Sequence, residues 1–193
     1  MLRAFTAPRG GKFDLGMTRW GMDSLGRLQP VTRGVRMRPS SAGGVPCERY
    51  EPREGDGARA ILYLHGGAFV TGSPRTHRHF VSRMAEHCGS LAISLDYRLA
   101  PEHPFPAALE DCAAAYRWLL AQGYAPGRIA VAGDSAGANL TLALLLALKA
   151  AGEPLPCCAV SISPVTDLTL SGGSMRSNKD VDVLFGRTSK LLS

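Results

Sequence analysis

No stretch of this chain approaches the roughly 18 consecutive apolar residues that a membrane-crossing helix requires. The longest candidate, Leu140 to Leu148, is nine residues and contains Thr141. Cysteine is sparse and odd in number, five in 193 residues, which excludes a disulfide scaffold. Glycine follows no period of three, so the chain is not collagen-like, and it holds neither internal repeats nor low-complexity tracts. Apolar residues make up 45% of the chain, too many for a disordered protein and enough for one domain with a core. Met1 to Phe13 has no apolar centre, unlike a secretory signal. It is Arg-rich and acid-poor, as a transit peptide is, but the first serine is Ser24. With no export signal, a reducing cytoplasm is the expected location.

Acidic residues are scarce at one end only. Residues 1–40 carry eight basic residues and two acids, whereas residues 41–193 carry fourteen of each sign. The formal net charge of +6 therefore belongs to an arm and not to the folded body. No basic patch is interleaved with aromatics, so nucleic acid is not an expected partner.

Periodicity then supplies an outline. A helical stretch is predicted around Met17 to Leu28. Val31, Val35 and Met37, then Val45 and Cys47, fall at even spacings and predict two antiparallel strands turned at Gly43-Gly44, with a second turn at Glu54-Gly55. Ala60 to Leu64 is a continuous apolar run of the kind a buried parallel strand shows. Thr76 to Cys88 reads as a helix with Phe80, Met84 and Cys88 on one face, closed by Gly89. Leu91 to Tyr97 reads as a strand. Pro106 opens a helix with a stripe of Leu109, Cys112, Ala113, Tyr116 and Leu120. Strands at Ile129 to Ala132 and Cys157 to Ile162 flank a helix over Ala136 to Ala151, apolar almost all round and so expected to be deeply buried. Pro164 stops the last strand. Repeated strand–helix–strand units predict an α/β fold, a mostly parallel sheet of about six strands with helices on both faces.

Two motifs at the ends of predicted strands carry chemistry. Gly133-Asp134-Ser135-Ala136-Gly137 fits G-x-S-x-G between a strand and a helix. The glycines permit a strained turn with the Ser135 hydroxyl at its tip, and the helix aims its N-terminal amides at the same place. The alternative is an ordinary strand-to-helix turn capped by Ser135. His65-Gly66-Gly67-Ala68-Phe69 follows the strand at Ala60–Leu64. Ester hydrolysis builds negative charge on a carbonyl oxygen, and a glycine loop brings backbone N–H donors close to it. Gly66, Gly67 and Ala68 form this candidate oxyanion loop; the donors are read as the Gly67 and Ala68 amides with Ala136 from the elbow. His65, Gly133, Asp134 and Gly137 support the two motifs, and Asp134 is read as a local hydrogen-bonding or capping residue.

A third segment, Asp96-Tyr97-Arg98-Leu99-Ala100-Pro101-Glu102-His103-Pro104-Phe105-Pro106, completes a pattern. With HGGAF at 65–69, DYRLAPEHPFPAALED at 96–111 and GDSAGAN at 133–139, the chain resembles the hormone-sensitive-lipase family of α/β-hydrolases, bacterial esterases and lactone hydrolases in particular, from about residue 28 onward. The resemblance implies an eight-stranded sheet with a helical cap, hydrolysis of small carboxylic esters or lactones by a Ser–Asp/Glu–His triad, and no metal or organic cofactor. It implies that residues 1–27 are an arm belonging to the cap and that 28–193 are a partial hydrolase domain. Ala68 stands where many members have a third glycine, a mild departure because the donor is the backbone.

Triad partners in this fold follow the serine in the order acid, then histidine. Asp167, Asp180 and Asp182 follow Ser135, but His65, His77, His79, His87 and His103 all precede it. A serine hydroxyl is a poor nucleophile without a base. The expectation is therefore a C-terminally truncated member, lacking the last two strands and with little or no activity. Asp167 is read as a turn residue after Pro164, and Asp180 to Phe185 as the beginning of cap sequence. His77 and His79 diverge on a helix and are read as surface residues, His103 as a structural residue beside the site, and adjacent Cys157 and Cys158 as pointing to opposite faces. The bare edge of the last strand, 157–162, is uncharged and invites self-association. The competing reading is a non-catalytic, ligand-binding pseudo-hydrolase, for which plant gibberellin receptors, similar to this family and without the histidine, are the precedent. Peptidases and thioesterases use the same fold.

Overall fold

A computed structural model describes residues 14–55, 57–169, 171–178 and 180–181. They fall into two compact units, one of Leu15–Pro164 and one of Met1–Asp14 with Val165–Ser193. In the larger unit the elements run α1 (Leu15–Arg27), β1 (Val35–Ala42), β2 (Val45–Pro52), β3 (Ala60–Leu64), α2 (Arg78–Cys88), β4 (Leu91–Leu95), α3 (Ala107–Ala121), β5 (Ile129–Asp134), α4 (Ala136–Ala150) and β6 (Cys158–Ile162).

These strands form one six-stranded sheet in the order β1-β2-β4-β3-β5-β6. β1 and β2 pair antiparallel through the Gly43-Gly44 turn, and β2 pairs antiparallel with β4. β4, β3, β5 and β6 are parallel. The central strands β3 and β4 are buried at every position, as expected where both faces of a parallel sheet are covered. Alternation along β3 separates the two faces. Leu62 and Leu64 pack with Cys112, Tyr116 and Leu119 of α3 and with Leu140, Leu144 and Leu148 of α4. Ile61 and Tyr63 pack with Val81 and Ala85 of α2.

Three helical expectations need correction. α2 buries Val81, Ser82 and Ala85, while Phe80 and Cys88 are exposed. A short 3-10 turn over Pro74–His77 precedes α2, and the inward face lies one residue later than the apolar spacing implies. α4 is not buried all round: Leu140, Leu144 and Leu148 face the sheet, but Leu146 is 69% exposed. α3 turns Asp111 inward beside Cys112, a buried carboxylate that the apolar stripe did not include. Cys157 and Cys158 also differ from expectation. Cys157 lies just before β6, outside the strict alternation of the strand, and the two sulfurs are 3.8 Å apart.

In the smaller unit, the Asp167 carboxylate accepts hydrogen bonds from the backbone and hydroxyls of Thr169 and Ser171, which holds it ionised down to about 2. A single helical turn, α5 (Gly173–Ser177), follows. Residues 1–13 of the basic arm and most of the 180–185 segment lie outside the described residues. Among the described residues no helix is long and apolar enough to cross a membrane.

Candidate active site

The elbow forms where β5 ends and α4 begins. β5 runs through Gly133, paired with Leu64 of β3, to Asp134. Ser135 then takes φ 51° and ψ −116°, and α4 starts at Ala136. A positive φ at a residue with a Cβ costs on the order of 1–3 kcal/mol and survives only where the surroundings over-determine it. Here they do. The Ser135 amide donates to the Ile162 carbonyl at the end of β6 (2.9 Å), and its carbonyl accepts from the Asn139 amide in the first turn of α4 (3.1 Å). Gly137 lies so close to the end of β3 that a Cβ there would sit 1.9 Å from the Leu64 carbonyl oxygen and 2.6 Å from that of His65. Only glycine lets α4 begin this near the strand that leads into the 65–69 loop.

That loop doubles back on itself directly after β3. Gly67 has φ 134°, and a Cβ on it would meet the Thr71 carbonyl oxygen at 2.1 Å. Its own carbonyl accepts from the Val70 and Thr71 amides and from the Thr71 hydroxyl. Ala68 and Phe69 follow with φ of 53° and 63°, so two consecutive non-glycine residues are left-handed. Among the described residues, no hydrogen bond engages the Gly67, Ala68 or Ala136 amides.

Asp134 connects the two motifs, and not through local bonds as its position in the motif suggested. Its Oδ1 accepts from the Tyr63 hydroxyl at 2.7 Å and from the Gly66 amide at 2.9 Å. His77 Nε2 lies 3.3 Å from the same oxygen. Burial alone raises a carboxyl pKa, but these contacts from His77, Tyr63 and Gly66 outweigh it and hold Asp134 below its usual range. This corrects two expectations. His77 is not a bland surface histidine, since it closes the cluster behind the elbow. The Gly66 N–H is committed to Asp134, so Gly66 orients the loop and the free donors begin at Gly67.

His65 is fully buried, with its ring stacked on Tyr97 at a centroid distance of 4.3 Å. Its Nδ1 lies 2.9 Å from the Gly66 carbonyl oxygen, so this nitrogen carries the proton and donates. Burial pushes its pKa down to about 4, and the ring is neutral near pH 7. The Tyr97 hydroxyl donates to the His65 carbonyl at 2.6 Å. The first peptides of the loop are thus fixed by one buried aromatic pair.

The 96–106 segment is tied down separately. The Arg98 amide and guanidinium both donate to Asp111, at 2.8–3.0 Å, which fastens the segment to α3. The Ala100 amide donates to the Phe69 carbonyl at 2.9 Å, joining it to the 65–69 loop. His103 takes part through its backbone, donating to the Leu99 carbonyl. Tyr63, His77 and Tyr97 were not marked by sequence reasoning as site residues. The signal in retrospect is a phenol or imidazole at the end of a buried strand or beside one, where its polar atom needs a partner.

The chain is similar to known proteins over most of its length. A model of the alpha/beta hydrolase fold family matches residues 61–190. The chain is 49% identical over 144 residues to an acetyl-hydrolase of Streptomyces hygroscopicus, covering 75% of this chain and 48% of that protein. It is 41% identical over 163 residues to an esterase of Acinetobacter venetianus, covering 84% and 54%. Among solved structures it is similar to a hormone-sensitive lipase from a metagenome library, with 44% identity and a TM-score of 0.87 over 95% of this chain and 61% of that one. It is also similar to the esterase EstE5, with 38% identity and a TM-score of 0.88 over 99% and 64%. The chain spans about half the length of the curated relatives it matches. With a strained serine between β5 and α4, a glycine loop after β3 and relatives of this identity, the chain belongs to the α/β-hydrolase fold family, in the hormone-sensitive-lipase family.

Proposed function

We propose that Ser135 is the nucleophile of a carboxylic-ester hydrolase acting on small esters or lactones, with the Gly67, Ala68 and Ala136 amides receiving the oxyanion. The observation that carries this reading is the positive φ of Ser135 at the strand-to-helix junction, a strain that an ordinary cap does not need. Attack by the Ser135 hydroxyl on the ester carbonyl forms a tetrahedral intermediate. Its oxygen carries the developing charge, and two or three fixed N–H donors stabilise that charge without reorganising.

The hydroxyl proton needs an acceptor, and no histidine follows Ser135 in the 193 residues. The five that precede it are committed elsewhere or turned to solvent. His65 is buried and bonded to Gly66, His77 lies at Asp134, and His79 Nδ1 lies 3.2 Å from the Pro30 carbonyl. His87 lies beside Arg83, and the His103 side chain is exposed. Residues 1–193 taken alone therefore hold a nucleophile and an oxyanion loop without a base. Such a site retains roughly 10³–10⁴-fold acceleration over water and loses the rest. The expected result is hydrolysis of p-nitrophenyl acetate close to background, changed little by Ser135→Ala. Robust turnover abolished by Ser135→Ala would show that an upstream histidine serves as base, with His103 the first suspect.

A second reading, a pseudo-hydrolase that binds an ester-like ligand without cleaving it, is favoured by the commitment of His65 and His77 to other partners. Calorimetric titration with a non-hydrolysable ester analogue separates the two, because saturable binding to Ser135→Ala without turnover supports the second. Self-association belongs to the same account. Among the described residues β6 is the edge of the sheet, with Val160 46% and Ile162 36% exposed. An uncharged strand with a free hydrogen-bonding edge pairs readily with a second copy.

A further inference from the structure

The helix α1 grips the segment that leaves the oxyanion loop at successive points. Arg19 Nε donates to the Val70 carbonyl at 2.7 Å. Its Nη2 donates to the Ala100 carbonyl at 2.7 Å, and the guanidinium meets the Glu102 carboxylate at 2.8 and 3.0 Å. One turn later, Asp23 accepts from the Ser73 hydroxyl at 2.5 Å and from Arg75 at 2.9 Å. A turn further on, Gly26 lies against the next peptide, where a Cβ would fall 2.7 Å from the Arg75 carbonyl carbon. Residues 19, 23 and 26 follow the i, i+4, i+7 spacing of one helix face. That face is laid along residues 70–76.

The position of Arg19 in this series is distinctive. Val70 immediately follows Ala68 and Phe69, two consecutive non-glycine residues with positive φ. Left-handed conformations at such residues relax unless the chain on both sides is held. On one side the loop is held by the His65–Tyr97 stack and by the Gly66–Asp134 bond. On the other side the restraints from outside the loop are the Ala100 amide bond to the Phe69 carbonyl and, at the next residue, the Arg19 bond to Val70. The same guanidinium holds Ala100, whose amide in turn holds the Phe69 carbonyl. A planar fork of fixed donors fits three acceptors in one plane, and a lysine ammonium does not.

We propose that Arg19 is a positioning residue for the oxyanion loop, locking the left-handed Ala68–Phe69 pair through the Val70 and Ala100 carbonyls so that the loop amides are preorganised. This inference rests on the reading of residues 66–69 as the oxyanion loop. The test does not need turnover, so the two fail separately. Hydrogen–deuterium exchange by mass spectrometry is compared for peptides covering 66–76 and for peptides in β3 and β5. Arg19→Ala is expected to accelerate exchange of the Val70 and Thr71 amides, which bond to the Gly67 carbonyl, by about tenfold or more, with β3 and β5 unchanged. Arg19→Lys keeps the charge but not the fork and is expected to show most of the same acceleration. Glu102→Gln keeps both carbonyl bonds and is expected to remain within about twofold of the unaltered protein. If Arg19→Ala does not fold, the Arg19→Lys and Glu102→Gln pair carries the comparison. Unchanged exchange at 66–76 in Arg19→Lys, uniform acceleration across the sheet, or an effect of Glu102→Gln as large as that of Arg19→Lys would overturn the proposal. The last outcome would reassign the contact to a simple ion pair.

Discussion

The two ends of the β5–α4–β6 unit are built on opposite terms. At the elbow, strain is concentrated and everything around it is committed. Ser135, Ala68 and Phe69 are left-handed, and the residues beside them are fixed by Asp134, Tyr63, His65, Tyr97 and Arg19. β6 itself is extended, with Ser163 just beyond it at φ 47°, and among the described residues it is an edge strand on which Cys158, Ala159, Val160 and Ile162 are exposed. The opposite edge strand, β1, shows how an edge is made unattractive: it carries Arg36, Arg38 and Pro39. Charge and proline discourage pairing with another chain, and β6 has neither.

Changes at the elbow are expected to have the largest effects. Gly137→Ala forces a methyl into the Leu64 carbonyl, which belongs to a buried central strand and cannot yield. A loss of at least about 3 kcal/mol in denaturant unfolding is expected, at the upper end for overpacking. A loss below about 1 kcal/mol would mean that the elbow is looser than the close approach implies.

Next in size is a pH effect at His65. The unfolded side chain takes up a proton at 6.5, whereas burial delays this to about 4 in the folded protein. The unfolded state therefore binds more protons between these values, and stability falls as the pH drops from about 6.5 to about 4, by no more than about 3 kcal/mol. Asp134 acts in a lower window. Its folded pKa is depressed below the ordinary 3.8, so its contribution is present above that value and is lost as the pH falls further. Unfolding curves at successive pH values should show the slope between about 6.5 and about 4, and His65→Gln should flatten it. An unchanged slope in that variant would place the titration elsewhere.

The smallest effect on folding is expected on the other side of the comparison. Val160→Lys puts a charge on the exposed β6 edge and should alter folding stability by no more than about 0.5 kcal/mol. It should nevertheless convert associated material to monomer in size-exclusion chromatography. Oligomers that survive the substitution would show that another surface is responsible.

Most of the scaffold was legible because its signals are local. The continuous run Ala60–Leu64 names a buried strand by itself, and Gly133 to Gly137 between a strand and a helix names the elbow. Side chains that act on the site from far along the chain were not legible. Arg19 reaches Val70 across 51 positions, and Tyr63 reaches Asp134 across 71. No periodicity encodes such pairs. Gly66 was misread for the same reason, since the sequence shows a glycine that permits close approach but not the carboxylate that claims its amide. The inward face of α2 was missed because Val81, Ser82 and Ala85, not the larger Phe80, point to the sheet, and spacing alone does not show which face is turned inward.

The central claim is that residues 1–193 present a competent nucleophile and oxyanion loop that lack only an acid and a base. The direct measurement joins to Ser193 the portion of the Acinetobacter venetianus esterase that follows its matching 163 residues, and follows hydrolysis of p-nitrophenyl acetate. The account predicts that the folded chimera turns over ester at least about a thousandfold faster than the 193-residue chain, and that Ser135→Ala abolishes the gain. A folded chimera whose turnover is indifferent to Ser135→Ala would contradict it.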